Sequence, residues 1–341
     1  MSSNDNLQKF MFDNAAVRGE LVELSDTWQH IRTRRAYPAP VQTMLGQMLA
    51  AAALLSANLK FDGTMILQLH GDGPVRLLVV ECNSELEMRA TAKLAPDAEI
   101  ALDAQLNDMV NCHGKGRFVI TLDPNSKLPG RQAYQGVVPL DGDDIATVLE
   151  HYMLRSEQLD TKLVLAADDH VVRGLLLQKL PHEGGTKPSA AATVADAAAA
   201  TAAAETPVAE GTTDPGINLV SDEDLDTWQR ATMLAGTLHE PELLTTPVAQ
   251  LLHRLFWEET LRVFEPKHPQ FRCTCSRERV GNMLKMLGKP EIDSALEEME
   301  TLGIDCDFCG QHYAFDRVDC AQLFANDTPV AAMLAASEVK H

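Results

Sequence analysis

Apolar and polar positions change rhythm several times along this chain. Val17 to Leu24 (VRGELVEL) reads as a strand. After Pro40 the spacing becomes helical: Val41, Met44, Leu45, Met48, Ala52, Leu55 and Leu59 recur on one side. Pro40 suits the first turn of that helix, where no amide donor is required. Thr64 to Cys82 (TMILQLHGDGPVRLLVVEC) holds two apolar runs around Gly71-Asp72-Gly73-Pro74 and predicts a hairpin. GRFVITLDP, TKLVLAA and VVRGLLLQKL add strands, and DDIATVLEHYMLRSEQL, from Asp143, predicts a helix whose acidic start suits the positive end of the helix dipole. Residues 1–182 therefore read as one α+β domain, a mixed sheet with helices.

The pattern then stops. Of the 33 residues from Gly184 to Gly216, 12 are alanine and none is Leu, Ile, Met or aromatic. Such a stretch buries too little surface to offset its ordering entropy, so residues 183–216 are expected to be a flexible tether. From 217 to 272 amphipathic spacing returns. Ser221 and Asp224 resemble a capping box ahead of Leu225, Trp228, Thr232 and Leu238. Thr246-Pro247 opens a second helix with Val248, Leu251, Leu252, Leu255 and Phe256 on one side, and LRVFEP is a short extended piece. These helices are too short to be stable alone and must dock on something, either permanently or conditionally. Residues 273–325 form a small C-terminal unit. Ser276 caps a helix through Met286, Pro290 opens another through Thr301, and a last helix starts near Arg317. So few large apolar residues need a staple.

Composition narrows the function. The chain has 341 residues, 45% hydrophobic, with a net charge of −20, which repels phosphate backbones and argues against nucleic acid as a partner. The stretch Val41–Leu59 has the length of a membrane span, but Gln42, Thr43, Gln47, Ser56 and Asn58 interrupt it, and a buried core helix is expected. The start, MSSNDNLQKFMF, has no basic region followed by an apolar run, so no signal peptide is expected. A cytoplasmic location is expected, where thiols stay reduced and seven cysteines suggest metal ligands or redox sensing.

Four of the seven stand in two pairs, Cys273 and Cys275 in FRCTCSRERV, and Cys306 and Cys309 in DCDFCGQHY. CxC followed by CxxC suits one tetrahedral zinc per chain. Arg272, Arg277 and Arg279 lie close enough in sequence to offset the excess charge of four thiolates. A permanently closed zinc staple and a redox-switching site both fit this spacing. Residues i and i+2 of an extended segment face the same way, so both sulfurs of CxC can reach one metal. A disulfide between them would close a strained, easily reduced ring. His312 is a spare donor, more simply a surface histidine. Cys82 reads as a core residue, and Cys112 as a partnerless thiol. No nucleophile elbow, HExxH or phosphate loop is present, and the acids at Asp141, Asp143, Asp144, Asp168 and Asp169 read as turn residues. No enzyme activity is expected.

The motifs CTCSRERV and CDFCGQHYAF, with AVRGELVEL, YPAPVQTMLGQMLAAAALLSANLKFDG, LQLHGDGPVRLLVV, YQGVVPL and YMLRSEQL, resemble the heat-shock protein 33 family of bacterial redox-regulated chaperones over nearly the whole chain. The resemblance implies a holdase without ATPase activity. It implies that Cys273, Cys275, Cys306 and Cys309 bind zinc in a reduced, inactive state. Oxidation would then join Cys273 to Cys275 and Cys306 to Cys309, release zinc, unfold the C-terminal unit and undock the helical linker. It further implies a homodimer on oxidation, binding of unfolded client proteins, and hand-over to ATP-dependent chaperones. On this view Leu225, Trp228, Leu251, Leu255, Phe256 and Trp257 of the linker contribute client-binding surface. A thiol–disulfide oxidoreductase and a zinc-ribbon nucleic-acid binder are the competing readings.

Overall fold

In the computed structural model, which describes residues 4–59, 62–125, 133–181 and 222–325, the chain opens with a hairpin. Its strands are Asn6–Phe12 (β1) and Val17–Leu24 (β2). A short helix, Asp26–Arg32 (α1), and a long one, Ala39–Asn58 (α2), follow. Next come Gly63–His70 (β3), Val75–Asn83 (β4), Glu87–Leu94 (β5), Leu106–Val110 (α3), Arg117–Pro124 (β6) and Tyr134–Pro139 (β7). Ile145–Ser156 (α4) leads to a second hairpin, Thr161–Ala167 (β8) and Val172–Lys179 (β9). The alanine-rich stretch and Ser221 lie outside the described residues. Helices Asp222–Gly236 (α5), Glu240–Thr245 (α6) and Val248–Leu255 (α7) then precede Leu261–Val263 (β10) and Gln270–Phe271 (β11).

The chain divides into two compact units after Arg272. The first contains two sheets, in the orders β10-β1-β2-β9-β8 and β11-β5-β4-β3-β6-β7. Every pairing is antiparallel except β11 with β5. Helix α2 touches β2, β8 and β9 of one sheet and β3, β4 and β5 of the other. It is apolar around its whole girth, as a helix between two sheets must be. By length and composition it is long and apolar enough to cross a membrane, yet 78% of that stretch is buried inside the unit. Close approach needs glycine here. A Cβ at Gly46 would sit 2.5 Å from the Ala167 side chain, and one at Gly174 2.9 Å from Leu54.

The first sheet is buried on both faces. Leu7, Val22, Leu24, Val172 and Leu176 belong to the core around α2. Phe10, Phe12, Val17, Leu21, Ala166, Leu175 and Leu177 face the other way, under α5, α6 and α7. Strand β9 accordingly buries seven successive residues, Val172 to Gln178. Strand β1 escaped the sequence pattern because its apolar residues split between the two faces. Helix α1 escaped because its cap is remote: the buried Asp5 carboxylate accepts the amides of Ser25, Asp26 and Thr27 at 2.6, 2.9 and 2.9 Å. The helix expected from Asp143 begins at Ile145, with Asp144 capping it through the Thr147 amide at 2.7 Å.

The second unit contains Arg277–Leu287 (α8), Lys289–Glu298 (α9), the hairpin Thr301–Asp305 (β12) and His312–Asp316 (β13), and Arg317–Ala325 (α10). Ser276 caps α8 by accepting the Arg279 amide at 3.2 Å. The helix opened by Pro290 stops at Glu298 rather than Thr301, because Thr301 pairs with Asp316 in the hairpin. The core is small: Leu284, Ile292, Leu296, Leu302, Phe315 and Cys320.

Candidate metal centre and covered apolar face

Two loops bring the cysteine pairs together. Cys273 and Cys275 lie in the extended segment before α8, and Cys306 and Cys309 in the turn joining β12 to β13. That turn is closed by Gly310 N–H donating to Cys306 O at 2.8 Å and Cys306 N–H donating to Gln311 O at 3.0 Å. Gly310 has φ +68°, the left-handed region that glycine enters without strain. All four sulfurs lie within 4.8 Å of one another, with Cys273–Cys306 at 3.7 Å and Cys275–Cys309 at 3.3 Å. Four thiolates on a tetrahedral cation with bonds of about 2.3 Å stand about 3.8 Å apart, so this donor set fits a metal ion. Burial and then the other three sulfurs push the Cys309 thiol up to about 12, opposed by its hydrogen bond with the Gln311 backbone. A cation is what lets such a crowded set ionise together.

The neighbours of the cluster each make contacts of their own. Tyr313, on β13, donates its hydroxyl to the Cys275 sulfur at 3.1 Å, and that bond pushes its phenol up to about 12. Arg277 donates to Ala314 O at 2.7 Å, pairs with Asp319 at 2.7 Å and lies over the Phe315 ring at 4.3 Å. Arg279 donates to Thr274 O at 2.9 Å. Arg272 pairs with Glu87. These arginines brace the backbone and acidic partners. His312 pairs with Asp305 at 2.7 Å and is not among the grouped donors. Cys82 and Cys320 are core residues; Cys112 is exposed, its thiol donating to Asp108 O at 2.9 Å. Burial pushes the Cys82 thiol up to about 12, which keeps it protonated and inert.

The six linker residues expected to meet clients fall into three groups. Leu251, Leu255 and Phe256 are buried against the first sheet, and Trp228 is half-buried there. Trp257 is 69% exposed. The side chain of Leu225 lies outside the described residues. Phe256 meets Phe10 and Phe12 with ring centroids 5.8 and 5.2 Å apart. Strand β10 pairs with β1, so the same segment also supplies the edge strand of the sheet it covers. Sequence reasoning missed the other half of this interface, Phe10, Phe12, Leu21, Leu175 and Leu177. Its signal was the unbroken run Leu175-Leu176-Leu177, which needs two buried faces. The acids noted in the sequence serve local structure. Asp168 accepts the His170 and Val171 amides at 2.7 and 2.8 Å, and Asp141 pairs with His151 at 3.0 Å and with Arg155.

Comparison with known proteins bears on this arrangement. The family model described as Hsp33 protein matches residues 5–316. A 33 kDa chaperonin of Chromobacterium violaceum is 45% identical over 97% of this chain and 98% of its own. A 33 kDa chaperonin of Methylobacillus flagellatus is 40% identical over the full length of both. The crystal structure of the 33 kDa chaperonin (heat shock protein 33 homolog) of Thermotoga maritima superposes with a TM-score of 0.69 at 21% identity, covering 94% of this chain and 98% of that one, and so shares the fold. With a four-cysteine centre that can hold a metal and a match running from the first strand to the last hairpin, this chain belongs to the Hsp33 family of stress-response chaperones.

Proposed function

We propose that the chain is a redox-regulated, ATP-independent holdase, switched off while reduced and loaded with one zinc ion. The observation that carries this reading is the covered sheet. An apolar face of Phe10, Phe12, Val17, Leu21, Leu175 and Leu177 lies beneath three short helices, and the four-thiol unit follows that covering segment directly in the chain. The all-sulfur donor set selects zinc over magnesium or calcium, which prefer oxygen. When bound, zinc supplies the cross-link that holds the two cysteine pairs, and with them the small second unit, together.

Peroxide converts two thiols to a disulfide and two molecules of water, with sulfur oxidised and peroxide oxygen reduced. A disulfide sulfur no longer binds a cation. Joining Cys273 to Cys275 and Cys306 to Cys309 therefore removes all four ligands, and the second unit loses roughly 10 kcal/mol of folding free energy. The preceding segment is then joined to an unfolded chain rather than to a folded unit. Uncovering exposes two apolar surfaces, the sheet face and the helices bearing Trp228, Leu251, Leu255 and Phe256. These hold unfolded clients, favour a homodimer, and release clients to ATP-dependent chaperones. The net charge of −20 keeps such a surface soluble. The protein acts in the cytoplasm, on neither membrane nor nucleic acid, and catalyses no reaction. An oxidoreductase would place CxxC at a helix start, where the dipole lowers the thiol pKa; Cys306 and Cys309 sit instead in a hairpin turn with Cys309 pushed up.

The test is light scattering from a heat-unfolding client with reduced zinc-loaded protein, with peroxide-treated protein, and with protein treated by peroxide then dithiothreitol. Suppression is expected in the second sample alone. Equal suppression in all three would mean a constitutive chaperone, and none in any would remove the reading.

A further inference from the structure

Among the described residues, three kinds of contact do most to hold residues 222–263 on the first sheet, beside exposed polar contacts such as Asn14 donating to Glu259 at 3.1 Å. Strand β10 adds to β1 through a backbone ladder. The apolar sides of α5, α6 and α7 meet the sheet face. The third contact is a charge. Arg173 stands on β9 directly across from Glu23 on β2, with its guanidinium 2.5 Å from the Glu23 carboxylate. The rest of its fork reaches off the sheet. Its Nη1 donates to Leu243 O at 3.0 Å and to Thr246 O. Those carbonyls lie at the C-terminal end of α6, where the last C=O groups have no partner within the helix and the dipole is negative. Arg173 is only 7% exposed, so water competes weakly for these bonds.

We infer that Arg173 is the latch that sets how readily the covering segment leaves the sheet. The inference rests on the reading that docking of this segment keeps client surface covered. Apolar contact has no direction and tolerates sliding. A planar guanidinium held by Glu23 and aimed at two carbonyls fixes both position and register. Its grip falls at the Thr246-Pro247 junction, so it acts on α6 and α7 together. Glu23 stays beside Arg173 when the segment leaves, so opening strands no unpaired charge, and the step is reversible. Among the described residues an ion pair also crosses this boundary, Arg262 with Asp13 at 2.9 Å, but it is solvent-exposed and contributes little.

The experiment is native-state hydrogen exchange by mass spectrometry on the full chain, reduced and zinc-loaded, comparing wild type with Arg173→Met and Arg173→Lys. Methionine keeps much of the buried stem volume but makes neither carbonyl bond. Lysine keeps the charge toward Glu23 but lacks the fork. Exchange in α6 and α7 is expected to accelerate on the order of tenfold or more in Arg173→Met and less in Arg173→Lys. Exchange in β3 and β4 and the zinc content should stay at wild-type values. Both variants should then suppress client aggregation without peroxide, in the same rank order. Unchanged exchange in α6 and α7 overturns the latch. Acceleration spread equally over β2 and β9 overturns it too, because Arg173 would then only brace the sheet. Faster opening of α6 and α7 with no suppression before or after peroxide supports the latch and removes the proposed function instead.

Discussion

The Tyr313 hydroxyl and the Cys275 sulfur, 3.1 Å apart, set the chemistry of the centre at the scale of single residues. A hydrogen bond donated to a thiolate draws charge from the sulfur, orients it toward the metal and blunts it as a nucleophile toward peroxide. Tyr313→Phe is therefore expected to weaken zinc binding by about tenfold, the lower end for loss of a ligand's supporting partner. It should also speed zinc release by peroxide. Chelator competition measures the first and a metal-indicator dye the second; wild-type values in both would show that the hydroxyl has no hold on the site. The four clustered cysteines were legible in the sequence because CxC and CxxC declare themselves by spacing. Tyr313 was not, since it stands 38 residues from the cysteine it serves and only the β12–β13 hairpin brings it there. The arginines were legible as neighbours of the cysteines in sequence, but their partners were not: Arg277 pairs with Asp319 and lies over the Phe315 ring.

Helices α5, α6 and α7 work as a cover rather than as independent elements. None is long enough to persist alone, and each gains its order from the sheet face beneath it. Their apolar stripes could be read from the chain, including Leu251, Leu252 and Leu255 on α7. What they cover could not be read in the same way. Phe10 and Phe12 lie more than two hundred residues earlier, and a periodicity gives a face without its partner. On the proposed reading, oxidation releases the cover and makes its own stripe available to clients. Alanine at Trp228, Leu251 and Phe256 together, measured on protein that is already oxidised, is expected to weaken client binding by about tenfold or more, because each large side chain brings about 1.5–3 kcal/mol of burial. Anisotropy of a labelled unfolded client reports the loss. Undiminished binding would assign clients to the sheet face alone.

At the scale of the whole molecule, the two units differ in what keeps them folded. The first has an extensive core around α2, whereas the second buries Leu284, Ile292, Leu296, Leu302, Phe315 and Cys320. Chelating zinc under reducing conditions is expected to abolish the melting transition of the second unit and to leave that of the sheets near its original temperature. Scanning calorimetry separates the two; an unshifted second unit would mean that its small core suffices. The doubly buried strand β9 carries one more consequence, for synthesis. Strands β1, β2 and β9 are complete before the helices that cover them have been made. The ribosome must add about seventy residues between the end of β9 and the start of α7, a few seconds or more at typical bacterial rates. On the proposed reading, every newborn copy therefore passes through an interval with its client-binding face bare, before the four thiols that would sense oxidant have been made. Cells making this protein rapidly under stress would carry a transient pool of unfinished chains that bind other nascent proteins, or one another, whatever the redox state around them.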